Sequence, residues 1–477
     1  MPRSESYSSK EKLSEDADKT VTVARVEPDE AQLEEENVDQ VFGEVGTKDT
    51  VNFRGVGWKS AAVLMSKSQI GIGVLSVPGS FHVLGLIPGV ITLIFFAVIT
   101  TWSDYYIGIF KIKHPQVYSV SDGMKLVCGP IGEWVAAISY LLFGVFVGGS
   151  AFLTLSTALN AISMHGLCTA GFVAIVAVFT GSLGSIRTLE KIRWIGWVGI
   201  VSIMSALLTC TIAVAIGGRP SLAPQTGPFD LDVKLWATPS FTEAMGALST
   251  QFWAFTGTSS FLSIASEMRD PKDFPKAVIS CQVFVTAVYT TVGVVVYAFA
   301  GQYVASPALG TAGVLIKRIS YGLSLPGLVF TAVFFIHLPA KWLFLRILRG
   351  SHHISHPTKT HYFTWFSCTI GCTLTSYIIA SAIPVFDGLV GLIGASTGVI
   401  LSLHCEALFF LYDYRYFFQD KSRRTPLLWF GIVFNIFLLV IGTFLFFAGS
   451  YGSIASIAKG FNGGTRPFSC ADNSGSV

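Results

Sequence analysis

The sequence predicts an all-α membrane protein whose helices cross the bilayer eleven times. Three observations lead there. Of the 477 residues, 51% are hydrophobic and only 13% are charged, where a soluble domain carries about 25% charged residues. The chain is a succession of apolar stretches, and a spanning helix needs about 20 such residues. The Lys and Arg residues collect in alternate connections between these stretches, as they do in loops that stay in the cytosol. Mean hydropathy is +0.60. Net charge is +3, which gives no reason to expect nucleic-acid binding.

The first element is a tail, residues 1–50, acidic, Ser-rich and poor in aromatics. It cannot bury enough apolar surface to offset its ordering entropy, so disorder is expected. It lacks the apolar core of a secretory signal, so the first spanning helix is expected to act as the insertion signal and leave the tail in the cytosol. The spans follow at about 60–82, 86–110, 133–160, 168–186, 194–216, 241–267, 275–300, 322–347, 361–382, 386–411 and 426–449. They are too long, and alternate too little, for barrel strands.

With the N-terminus inside, the cytosolic loops hold most of the bases, among them Lys111, Lys113, Arg187, Arg193, Lys276, Arg346, Arg415 and Arg424. The external side keeps only Arg219, Lys234, Lys317, Arg318, Lys459 and Arg466. The expected organisation is a membrane domain over 51–450 and an extracellular C-terminal tail over 451–477. Gly217–Ser240 and Gly301–Ser320 read as long external loops, with Val314–Ile319 as a short surface helix. The eight cysteines contain no CxxC pair and suggest no disulfide framework. Cys368 and Cys372 share a helix face as packing residues.

Two spans are interrupted. In the first, Gly71 and Gly73 each weaken the helix by about 1 kcal/mol relative to Ala. Pro78 cannot donate to the carbonyl of Val74. In the sixth, Gly257 sits among Thr256, Thr258, Ser259 and Ser260, whose hydroxyls compete for backbone hydrogen bonds. Unwound backbone in a bilayer survives only where it is buried in protein or lines a cavity. The two breaks lie five spans apart, so spans 1–5 (about 60–216) and 6–10 (about 241–411) run in opposite senses, with the helix at 426–449 in addition. Interruptions at matching positions of inverted halves point to a secondary transporter's site.

Two motifs carry a resemblance. Gly71-Ile72-Gly73-Val74-Leu75-Ser76-Val77-Pro78 resembles the first-span signature of the amino acid/auxin permease family. Glu267-Met268-Arg269-Asp270-Pro271-Lys272-Asp273-Phe274-Pro275-Lys276-Ala277 is similar to the same family's E-M-x-x-P-x-x-F-P-K-A signature. The resemblance spans about residues 50–450. Within the family it is nearest to fungal neutral and aromatic amino acid permeases. It implies a five-plus-five inverted repeat of the LeuT type with discontinuous helices 1 and 6, and proton-coupled uptake by alternating access.

On this reading the cradle for an amino acid is Ser68, Gln69, Ile70, Gly71, Ile72 and Gly73, completed by Phe255, Thr256, Gly257, Thr258 and Ser259. The N–H groups opening the second half of span 1 suit a carboxylate, and the carbonyls ending the first half suit an ammonium. Asp104, Glu267 and Glu406 fall near cytosolic ends, while Glu243 and Asp387 fall near external ends. A neutral side chain is therefore expected, with Tyr140, Phe143 and Phe255 lining its pocket. His337 is expected to face span 1 and take part in proton coupling, as intramembrane ionisable residues often do. Lys67 is expected to pair with Glu267 or Glu406 in an inward gate. The expected partners are neutral amino acids, protons and the lipid bilayer, with the lysines of the tail open to ubiquitination. The plasma membrane is the expected location, with the vacuolar membrane as the alternative.

No cofactor is implied. His352, His353, His356 and His361 have no metal-site spacing. No P-loop argues for an enzyme, and no enzyme is expected. Two other classes stay open: an amino-acid sensor, and a transporter of another small organic substrate on the same fold.

Overall fold

The computed structural model describes residues 56–186, 189–217, 219–348, 358–419 and 425–476, with Ser351, His353 and two short strands, Val38–Asp39 and Gly43–Glu44. The strands pair antiparallel within the unit Met1–Asn52. The remainder of that tail, with its expected disorder, lies outside the described residues, as do His352 and His356.

The second unit, Phe53–Val477, is a helical bundle. Its first helices are α1 (Trp58–Gln69), α2 (Gly73–Leu84), α3 (Leu86–Lys113), α4 (Val120–Ser163), α5 (Thr169–Gly184) and α6 (Leu189–Ala215). Then come α7 (Phe241–Ala254), α8 (Phe261–Ser266), α9 (Phe274–Ala300), α10 (Val314–Ile347) and α11 (Lys359–Ala382). The last are α12 (Phe386–Ile393), α13 (Cys405–Asp413), α14 (Pro426–Phe444) and α15 (Ser450–Asn462). Among the described residues, eight helices are long and apolar enough to cross a membrane, and a ninth span is the pair α1–α2, bent by 50°. α5, of 16 residues, and the interrupted segment α7–α8 stand where the fourth and sixth crossings are expected.

Local sequence explains the boundaries. Ser119 with Asp122, and Ser240 with Glu243, form reciprocal capping boxes that open α4 and α7. Pro275 occupies the first turn of α9, where a missing N–H costs nothing. Gly129 adopts φ 67° before Pro130, a left-handed corner that separates the start of α4 from its spanning part. Between α12 and α13 the chain winds through two π turns, Gly394–Gly398 and Ile400–His404.

Two sets of helices emerge from the packing. α1, α2, α3, α7 and α9 lie against one another around the breaks, while α4, α5, α6 and α11 gather on α10. Two expected boundaries are corrected. Val314–Ile319 is the first turn and a half of the continuous α10, with Lys317 fully buried, and is no separate surface helix. The last helical stretch runs on through α15 to Asn462, so the chain beyond residue 450 is largely helical before it becomes a tail.

The cysteines hold a further correction, since Cys168 and Cys470 are disulfide-bonded across 302 residues. Around this bond the tail lies on the helices. Thr169 donates to the Ala471 carbonyl, Asn160 to Asn473, and Lys317 to the Ser474 and Gly475 carbonyls. Both cysteines lie at the end of the bundle where the sequence places few bases.

Candidate functional site: two broken helices in contact

The break in the first span runs from Ile70 to Ile72, between α1 and α2. Ile70 still donates to the Ser66 carbonyl, but Gly71 turns back onto the Gln69 carbonyl at 2.8 Å. The second break is a 3₁₀ turn, Thr256–Ser260, between α7 and α8. Regular bonding fails in both for the reasons given by their glycines and hydroxyls.

The breaks touch backbone to backbone. A Cβ on Gly257 would stand 2.7 Å from the Ser68 carbonyl oxygen, and one on Gly73 would stand 3.1 Å from Ala254 Cα. A side chain at Gly257 would force the backbone apart, and one at Gly73 would be tight. Ser68 Oγ donates to the Gly257 carbonyl at 3.3 Å. The structure therefore brings the two expected cradle segments, Ser68 to Gly73 and Phe255 to Ser259, into contact where Ser68 and Gln69 meet Gly257.

The chemistry of the junction is that of helix ends. α2 begins at Gly73 and presents N–H groups without intrahelical partners, which favour an anion. The carbonyl ends of α1 and α7 carry the opposite partial charge, with the Gln69 carbonyl accepting from Gly71 and the Ala254 carbonyl from Tyr289. Gln69 adds a side chain: it is 2% exposed, yet neither Nε2 nor Oε1 has a hydrogen-bond partner among the described residues. Leaving a buried amide unpaired costs about 1–3 kcal/mol per group, so Gln69 brings unmet hydrogen-bonding capacity to the junction.

Further residues support the junction that the sequence did not single out. The Tyr289 hydroxyl donates to the Ala254 carbonyl at 2.8 Å and its ring packs on Phe255. Thr258 Oγ1 donates to Ser402 Oγ at 2.7 Å, tying the second break to the π-wound span. Tyr289 and Ser402 lie in spans whose apolar runs mark no position as special; the π turns are not legible in residue types.

The other expected site residues are placed differently. Lys67 is 3% exposed and donates to Thr331 Oγ1 of α10 at 2.9 Å, with its ammonium over the Phe330 ring. Gly199 of α6 leaves the room, since a Cβ there would meet Lys67 Cε at 2.9 Å. The expected ion pairs of Lys67 are thus corrected. Glu267 instead hydrogen-bonds Tyr118 and faces Lys341. Glu406 has neither carboxyl oxygen in a hydrogen bond among the described residues. His337 does not face the first span either. Its Nδ1 lies 3.1 Å from the Gly184 carbonyl of α5 and its ring meets Trp365 of α11. Phe143 packs edge-on against Phe335, and Tyr140 is half-buried near Tyr118.

The chain leading into α1 is tied to the chain leaving α8. Val56 donates to the Glu267 carbonyl, and Arg269 donates to the Val56 carbonyl at 2.9 Å. This parallel bridge lies on the segment that carries the second motif.

A membrane bundle whose two interrupted helices cross at their breaks, with bare helix ends and a buried unpaired amide between them, is the architecture of a secondary transporter. The chain belongs to the transmembrane amino acid transporter protein family, whose profile matches residues 54–455. It is an integral membrane protein that transports amino acids. A transmembrane transporter of Gibberella moniliformis is 32% identical over 433 residues, covering 90% of each chain. An N amino acid transport system protein of Neurospora crassa is 28% identical, over 88% of this chain and 89% of that one. The fold is similar to that of a Na⁺-coupled sialic acid symporter solved in a substrate-bound outward-open state. That match has a TM-score of 0.52 at 13% identity, over 85% of this chain and 91% of the other.

Proposed function

We propose that the protein imports neutral L-amino acids, aromatic and large aliphatic ones, together with protons, by alternating access around the two breaks. The observation that carries this reading is the junction itself. An amino acid presents a carboxylate and an ammonium on one carbon, and the crossing offers an N-terminal helix end beside carbonyl ends. The unpaired Gln69 amide supplies a directional contact to the same groups. No Lys, Arg, Asp or Glu lies in either break segment, 70–72 or 255–260, which suits an uncharged side chain, and Phe255 and Tyr289 give it aromatic walls.

The same reading takes the chain to cross the bilayer eleven times, N-terminus in the cytosol and C-terminus outside, in the plasma membrane. The Cys168–Cys470 bond supports that orientation, because disulfides persist on the oxidising side and both cysteines belong to the base-poor face.

Uptake of radiolabelled phenylalanine and leucine into proteoliposomes tests the proposal. Concentrative uptake that needs an inward proton gradient, collapses with a protonophore and disappears in Gly257→Val is the expected result. Saturable binding with no accumulation would make the protein a sensor, and a preference for charged amino acids would overturn the substrate class.

A further inference from the structure

Two buried acids take no part in the junction just described. Asp104 of α3 is fully buried and Glu406 of α13 is 2% exposed. α3 and α13 pack against each other, and Glu406 feels the charge of Asp104. Gln282 of α9 donates to Asp104 Oδ2 at 2.5 Å. Asp104 Oδ1, both carboxyl oxygens of Glu406 and Gln282 Oε1 have no partner among the described residues. Gln282 is itself 2% exposed, so a buried amide with a free acceptor sits against Asp104.

The neighbouring groups are uncharged or weakly acidic. Cys281 of α9 faces Asp104 and bonds Ser66 of α1. Cys405 adjoins Glu406, with Cys128 of α4 behind it. Among the described residues, no Lys, Arg or His acts on either carboxyl. The nearby cations at the inner end of α3 are engaged elsewhere: Lys113 and His114 both pair with Asp413.

An isolated ionised carboxylate is costly to bury, and two that face each other without a cation cannot both be charged. Such a pair keeps at least one proton. The unpaired oxygens are where a second proton would go.

The pair is mechanically linked to both breaks. Glu406 lies one turn beyond Ser402, which holds Thr258 in the second break. Gln282 lies two turns before Tyr289, which holds Ala254 at the start of that break. Ser66, bonded to Cys281, is in the last turn of α1 before the first break. Any movement of the half-helices on amino acid binding alters the spacing of the two acids.

We propose that Asp104 and Glu406 form the proton site of the transporter. The singly charged pair takes up one proton from the outer side, becomes neutral, and returns to its singly charged state by releasing that proton to the cytosol. One proton is bound and one released per cycle, and no other reactant is needed. This inference rests on the proton-coupled reading given above.

The test uses the full chain in proteoliposomes, with Asp104→Asn, Glu406→Gln and the double variant. Accumulation of radiolabelled phenylalanine under an imposed pH gradient is compared with gradient-free exchange of the same amino acid. The expected result is loss of accumulation relative to exchange in each variant, with a protonated-carboxyl band in the infrared spectrum of the wild type that is absent from the double variant. Accumulation at the wild-type level in the double variant would overturn the inference, as would a sodium gradient driving uptake through the same two residues. Wild-type exchange that ignores the pH gradient would also overturn it while leaving the amino acid reading intact. Should a variant fail to fold, the wild-type band followed as pH is raised decides. Its decline in step with accumulation supports the site, and accumulation lost under an unchanged band overturns it.

Discussion

At the scale of single residues, Gly257 is the most constrained position in the junction. A valine there would push into the Ser68 carbonyl, 2.7 Å from its Cβ, and overpacking of this kind costs about 1–3 kcal/mol. Gly257→Val is expected to reach the membrane and lose uptake, as surface labelling and transport measured on the same cells would establish. Gln69→Ala should weaken phenylalanine binding about tenfold, equivalent to about 1.4 kcal/mol, and a binding isotherm on purified protein checks it. Lys67 and Thr331 hold each other across α1 and α10. Lys67→Met and Thr331→Val should therefore be non-additive in uptake rate by about 1 kcal/mol, and strictly additive effects would break the pair. Glycine exposed the breaks in the sequence because its lack of a side chain is itself the signal. The partner of Lys67 was not legible. Thr331 is one hydroxyl in an apolar run, and a lysine buried against a hydroxyl and an aromatic ring carries no charge pattern by which to find its neighbours.

At the scale of elements, the bundle separates what hydropathy reveals from what it hides. Apolar length located the helices but not all their starts: α4 begins at Val120, behind the Ser119 capping box, and α10 at Val314, where spans are expected from 133 and 322. Hydropathy could not show that α10 begins at Val314, because Lys317 looks like a surface residue until the tail's carbonyls cover it. Nor could it show which face of α10 carries His337. A helix repeats every 3.6 residues, so an error of one or two positions in facing moves a side chain from α1 to α5 and α11. Replacing Gly73 with Val should hold α2 away from α7, since the added Cβ would meet Ala254 Cα at 3.1 Å. The expected outcome is a protein that folds but neither accumulates nor exchanges amino acid, measured by counterflow in proteoliposomes.

At the scale of the whole molecule, Cys168–Cys470 joins the fourth crossing to the far end of the chain. Removing a native disulfide costs about 2–5 kcal/mol in small secreted domains. Cys470→Ser should lower the melting temperature and open the tail to protease added outside. In that variant Cys168 is left as a free thiol, and a membrane-impermeant thiol reagent should label it on intact cells. Labelling only after the cells are opened would invert the proposed orientation. The bond was findable in principle, since the distribution of bases puts both cysteines on one side, but the absence of a CxxC pair drew attention away from them.

The contact between Ser68 and Gly257 has a consequence for how such a protein can change over generations. If peptide groups hold the two charged ends of the cargo, no single codon change can replace them with groups of another charge. Mutation can reshape the walls around the side chain, at Phe255 or Tyr289, while the part that reads an amino acid as an amino acid stays the same. The lineage is then free to drift among amino acids and is held back from leaving them.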